Sequence, residues 1–161
     1  MPNAGDLVRA SDVAVQGCRV TSTASQSIND NTTTTVTFDD ELWDNDGMHS
    51  NVTNNSRITI VTAGIYVVTF QGRFASANDY VEVYATLRLN GGTDIALGPY
   101  VVTTTAIPPK VLVTTTDEFV AGDYLEVQVL QNNSANVARD LALLGVASPI
   151  FSAARLGSGV S

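Results

Sequence analysis

Lysine is almost missing from this chain: Lys110 is the only one in 161 residues. Histidine and cysteine are also single, as His49 and Cys18. Each scarcity excludes something. Eight Lys and Arg against sixteen Asp and Glu give a formal net charge of −8. With no basic run to neutralise a phosphate backbone, no nucleic-acid partner is expected. One cysteine precludes an intrachain disulfide, and a lone thiol is most often a small core hydrophobe. One histidine, with no Gly-x-Ser-x-Gly elbow, gives no footing for a hydrolytic triad. Phosphate loops, dinucleotide fingerprints and zinc-ligand spacings are missing too. No apolar run approaches the roughly 20 residues needed to span a bilayer, so no membrane partner is expected. The start, MPNAGDLVRASDV, lacks the basic then apolar pattern of a secretory signal, and folding in a cytoplasm is expected. Nor does any stretch sustain a capped helical period.

What is present is β-rich. Hydrophobic residues make up 44% and charged residues 15%, a globular balance, and the abundant Thr and Val favour pleated, half-buried surfaces. The run from Ser56 to Phe74 reads as two strands joined at Thr62-Ala63-Gly64. In its second strand Tyr66, Val68 and Phe70 share one face, while Ile65, Val67 and Thr69 share the other. Antiparallel strands usually show one apolar and one polar face, so a doubly apolar strand implies a cover on each side. One cover is a second sheet of the same domain, and a second copy of the chain could supply the other.

Elsewhere strands are expected at 18–23, 33–38, 80–90, from 94 to 97, at 100–105, 111–116, 124–130 and, as the last clear one, 141–146. Residues 39–55 and 131–136 read as loops. Along 80–90, Val81, Val83, Ala85, Leu87 and Leu89 are expected to point inward. Asn90-Gly91-Gly92 is a hairpin signal, and Ala121-Gly122-Asp123 is another tight turn. Short strands punctuated by Gly, Pro and Asn predict a double-sheet jelly-roll sandwich. The division expected is an arm at 1–16, a β-domain at 17–156 and a tail at 157–161.

Several motifs together resemble one superfamily. They are Phe38-Asp39-Asp40-Glu41-Leu42-Trp43-Asp44 with Gly47-Met48-His49; Ile60, Ala63-Gly64, Tyr66, Val68 and Phe70; Leu87-Arg88-Leu89-Asn90-Gly91; and Phe119 through Val127. Their order and spacing are similar to the tumour-necrosis-factor-like and complement-globular-head superfamily, over roughly residues 18 to 156. That resemblance implies a ten-strand jelly roll assembled as a homotrimer, with an interface expected at Tyr66, Val68, Phe70, Tyr84 and Tyr124. The start of the chain also resembles small structural proteins of tailed bacteriophages. It implies a virion protein made in the host cytoplasm, with Leu7, Val8, Arg9, Val13 and Val15 in an arm that grips the major capsid protein or another virion protein.

Two readings of role stay open on this basis: a trimeric capsid decoration or head-fibre protein, or a trimeric tail or fibre module recognising a bacterial surface glycan or protein. No residue set pairs a nucleophile with a base, so no enzyme and no cofactor are expected. Asp39, Asp44 and Asp46 form a calcium candidate because carboxylates crowd this loop and some members of the resembled superfamily bind calcium near the three-fold axis. Asp44-x-Asp46-Gly47 fails as an EF-hand, since Leu42 and Thr53 would occupy the first and twelfth positions. The alternative is a solvated polar loop. Trp43 either packs its ring on a sheet edge or contributes to a sugar or protein contact. Tyr80, Tyr84 and Tyr100 carry the same ambiguity.

Overall fold

The computed structural model describes residues 15–101, 107–145 and 148–159. Twelve strands follow in order among these residues: β1 Gly17–Thr21, β2 Gln26–Ile28, β3 Thr34–Thr35, β4 Asp40–Asp44, β5 Arg57–Thr59, β6 Gly64–Arg73, β7 Tyr80–Leu89, β8 Thr93–Leu97, β9 Lys110–Phe119, β10 Tyr124–Asn133, β11 Arg139–Leu141 and β12 Ile150–Gly157. One sheet has the order β4-β1-β12-β6-β9; the second runs β3-β10-β7-β8, with β5 also paired to β10. β2 and β11 form a small third pair. The result is an all-β sandwich of two antiparallel sheets.

The core is built by alternation. Along β6 every second residue is buried, which sends Tyr66, Val68 and Phe70 between the sheets and Ile65, Val67, Thr69, Gln71 and Arg73 outward. Phe38 meets Phe70 edge-on at 6.4 Å and Phe151 at 5.5 Å, and Tyr66 lies 6.3 Å from Phe119. Such ring pairs add about 0.5–1.5 kcal/mol each beyond the area they bury. Among the buried polar residues, Gln131 and Asn133 are the most enclosed, 0% and 1% exposed. The Asn133 amide donates to Asp30 Oδ1, Gln131 Oε1 and the Val137 carbonyl. This network ties the turn after β10 to β2 and belongs to a stretch expected to be a loop.

The structure corrects several expectations. Ser56–Phe74 is no hairpin: β5 joins β10 in one sheet and β6 joins β9 and β12 in the other. The chain crosses between sheets at Thr62-Ala63-Gly64. Gly64 is required there by close approach, because a Cβ would sit 2.4 Å from the Gly157 carbonyl oxygen. The polar loop after Phe38 contains β4, which pairs with β1 through a register shift that lets Leu42 bulge out. Near the start of β7 the alternation slips: Asn132 faces Glu82 but Asn133 faces Tyr80, so Tyr80 is buried and Val81 is 49% exposed. Tyr80 is therefore a core residue whose hydroxyl donates to the Ala75 carbonyl at 2.8 Å.

The largest correction is at the C-terminal end. Of the described residues of the expected final strand at 141–146, only Leu141 is extended, as the end of β11, whereas Ile150–Gly157 forms β12 at the centre of the first sheet. Its Ser, Ala and Gly residues carry weak strand propensity. Small side chains are what a strand crowded between two neighbours needs: a Cβ on Gly17 of β1 would lie 2.3 Å from the Ala153 carbonyl oxygen.

Candidate functional site

Two outward sheet faces and one loop are the surfaces on which function can rest. The first face belongs to β4-β1-β12-β6-β9. Pairing sets Val67 opposite Ala154 and Thr116, and Thr69 opposite Ser152 and Thr114. Gln71 lies between Ile150 and Leu112. The centre of this face therefore carries no formal charge. Charges flank it: Glu118 opposite Ile65, Lys110 opposite Arg73, and Arg19 between Ser152 and Trp43. Leu112 is 52% exposed. A centre of Val67, Ala154, Thr, Ser and Gln side chains without charge shows the depletion of charged residues typical of interface cores. Trp43 is half-buried on the edge strand of this face.

The five expected interface residues do not share it. Tyr66, Val68 and Phe70 are fully buried inside the chain's own core and cannot touch another molecule. On a two-sided strand the larger apolar set faces the partner sheet, and the smaller set, Ile65 and Val67, is left outside. Tyr84 and Tyr124 lie on the other sheet. The Arg57 guanidinium sits 3.9 Å from the Tyr124 ring centroid and bonds Glu126 at 3.3 Å, a contact internal to the chain.

The second face belongs to β3-β10-β7-β8. Here Tyr84 and Tyr100 have ring centroids 4.8 Å apart at 58°. Arg88 of β7 pairs with Asp94 of β8 at 2.9 Å. Together with Thr33, Thr86 and Gln128 these residues line an open cleft of about 500 Å³. Burial and the neighbouring Tyr100 push the Tyr84 phenol upward. Nothing in the period-two pattern of β7 marks this cleft, because Tyr100 arrives from an irregular segment after Pro99.

The acidic loop does not assemble a cation site. Asp39 and Asp44 flank β4 at opposite ends, on the order of 15 Å apart at strand rise. The Thr23 hydroxyl and backbone N–H both donate to Asp39, holding its carboxyl below the usual range. Both Asp44 oxygens are occupied, accepting the Asp46 N–H at 3.1 Å and the His49 N–H at 3.0 Å. Among the described residues no three His, Cys, Asp or Glu converge as metal ligands. The His49 ring lies between carbonyls, with Nδ1 2.8 Å from the Arg57 oxygen and Nε2 3.2 Å from the Phe38 oxygen. That ring lies between the two carbonyls and links the loop to Phe38 and Arg57. Cys18 is buried, and burial with Asp44 and Glu41 nearby drives its thiol strongly upward, away from the nucleophilic thiolate.

Of the expected arm, Leu7, Val8, Arg9 and Val13 lie outside the described residues. Val15 is 57% exposed. Gln16 already belongs to the domain: its carbonyl accepts the Arg155 N–H at 2.9 Å, and its Oε1 accepts from the Arg155 guanidinium at 3.0 Å.

No family model and no curated protein sequence matches the chain. Solved structures do. The globular domain of the zebrafish complement 1qA protein matches with a TM-score of 0.63 at 11% identity, covering 89% of this chain and 99% of that one. Murine APRIL matches with a TM-score of 0.63 at 10% identity, over 89% and 100%. Eiger TNF from S. frugiperda matches with a TM-score of 0.62 at 13% identity, over 92% and 97%. At these identities the likeness is one of fold, and the fold is the tumour-necrosis-factor-like and complement-globular-head jelly roll.

Proposed function

We propose that this chain is a non-enzymatic structural protein that works as a homotrimer, in the setting of a tailed-bacteriophage virion as a capsid decoration or head-fibre protein. The observation that carries the trimer is the uncharged stretch of outer face around Val67, Thr69, Ala154 and Ser152, with Glu118, Lys110 and Arg73 at its ends and Arg19 beside Ser152. Three such faces meeting about an axis bury the apolar side chains that one chain leaves wet. Obligate interfaces of this kind bury roughly 2,000–5,000 Å² in total. The virion setting is supported by the resemblance of the N-terminal run, which in this reading holds the domain to the major capsid protein or another virion protein. Three weakly binding arms on one trimer multiply into firm attachment.

The non-enzymatic reading is supported by the buried Cys18 and by the His49 ring closed between two carbonyls. The test is to add purified protein to particles lacking it, as the full chain and as a truncation ending before Gln16. The reading expects trimers from both and attachment only from the full chain. Decoration by the truncated protein would remove the role given to the arm, and monomers would remove the trimer. The second placement, a tail or fibre module, keeps the same trimer and is favoured by the cleft beside Tyr84 and Tyr100, which an axis through the other sheet leaves facing outward.

A further inference from the structure

We propose that the cleft on the β3-β10-β7-β8 sheet is a binding site for an uncharged saccharide. The cleft measures about 500 Å³, within the roughly 300–1,000 Å³ of small-ligand sites. Its walls are chemically mixed in the way a pyranose ring requires. A sugar has an apolar C–H face and an equatorial girdle of hydroxyls, so its site must offer a flat apolar plate next to fixed donors and acceptors.

The plate is the tyrosine pair. At 4.8 Å and 58° the two rings form a corner, with Tyr100 57% exposed and Tyr84 supported from below by the sheet. A C–H face can stack on the first ring while the sugar's edge abuts the second. The floor is set by strand register: Thr86 lies between Leu97 of β8 and Gln128 of β10. Gln128 donates through Nε2 to Thr35 Oγ1 at 3.3 Å, which fixes the amide and leaves Oε1 as an acceptor. Among the described residues neither that oxygen nor the Thr86 or Thr33 hydroxyl has a protein partner, so hydroxyl-bonding capacity lines the floor beside the rings.

Charge selects the occupant. Among the described residues the one cation lining the cleft is Arg88, which lies 2.9 Å from Asp94 and donates to the Gly92 carbonyl at 3.0 Å. Its charge is already met, and the chain as a whole carries −8. A sulfated, phosphorylated or carboxylated sugar would approach Asp94 with no free cation to receive it. A neutral ring meets no such penalty. A peptide adding to the sheet by backbone pairing needs an open edge, and this is a face.

The site lies within one chain and needs neither the trimer nor the virion setting, so the mass and attachment experiments can fail without affecting it. The test is saturation-transfer NMR on the full chain with neutral gluco-, manno-, galacto- and N-acetylglucosamine oligosaccharides, with sulfated counterparts as controls. The expected result is transfer to at least one neutral series at about 10 mM ligand, with shifts confined to the Tyr84 and Tyr100 rings and affinity at least about tenfold lower in Tyr100→Ala. Tyr100 is exposed, so that variant should keep the parent melting curve, and Trp43→Phe on the opposite sheet should bind as the parent does. Silence across the neutral panel overturns the proposal, as does equal binding by Tyr100→Ala or binding of sulfated sugars alone.

Discussion

The side chain of Asn90 grips Asp123 across two turns: its amide donates to Asp123 Oδ1 at 2.8 Å, and its carbonyl oxygen accepts the Tyr124 N–H at 2.9 Å. Asn90 sits at φ 52 in the β7–β8 hairpin, and Asp123 follows Gly122 where β9 passes into β10. The other Asp123 oxygen accepts the Val120 N–H at 3.0 Å. Backbone bonds link the same turn to Ile60. Three separate connections at one end of the sandwich are therefore fastened at a single point.

That fastening gives the first prediction. Asn90→Gly keeps the left-handed backbone and deletes only the side-chain bonds, and should cost about 1–2 kcal/mol. Asp123→Ala should cost a similar amount. Urea denaturation of the two single variants and the double variant should show a coupling of about 1 kcal/mol, because the residues share one network.

The two faces of β6 should respond differently to mutation. Phe70→Ala empties the core and should cost about 3–5 kcal/mol of stability. Val67→Ser changes a half-exposed position, so it should melt within a few degrees of the parent when measured at concentrations too low for assembly. At higher concentration Val67→Ser should lose association.

Alkaline titration separates the five tyrosines. Burial raises Tyr66, Tyr80 and Tyr84, and Tyr80 is pushed up to about 12 from an ordinary value of 10.0. The folded state therefore holds its phenol protons more tightly than the unfolded state. The associated stability is intact below pH 10 and is lost as pH rises through about 12. Phenolate absorbance should show a late fraction that appears together with loss of native circular dichroism. Tyr80→Phe should remove part of that late step.

Cys18 should be silent to thiol reagents in the native protein and react fully in denaturant, since it is buried against β12 and its thiolate is disfavoured. Fast labelling under native conditions would contradict its place in the core.

The sandwich was legible where the period of two was clean. Val83, Ala85 and Leu87 lie where alternation puts them, and the Asn90-Gly91 and Gly122-Asp123 turns fall where their residues demand positive φ. It was illegible where packing overrides propensity. β12 hides behind Ser152, Ala153 and Ala154, because crowding between β1 and β6 selects small residues over good strand formers. Alternation also shows that a strand has two apolar faces without saying which looks inward. That choice depends on the partner sheet, and it placed Tyr66, Val68 and Phe70 inside and Val67 outside. The tyrosine cleft escaped for a related reason: Tyr84 and Tyr100 meet only after the chain folds back past Pro99.

Sedimentation equilibrium on the purified full chain tests most directly whether three chains share the Val67 face. The predicted result is a single species at three times the 17.0 kDa chain mass, dissociated by Val67→Glu without loss of β-structure. A parent protein that sediments as one 17.0 kDa chain at every concentration would contradict it.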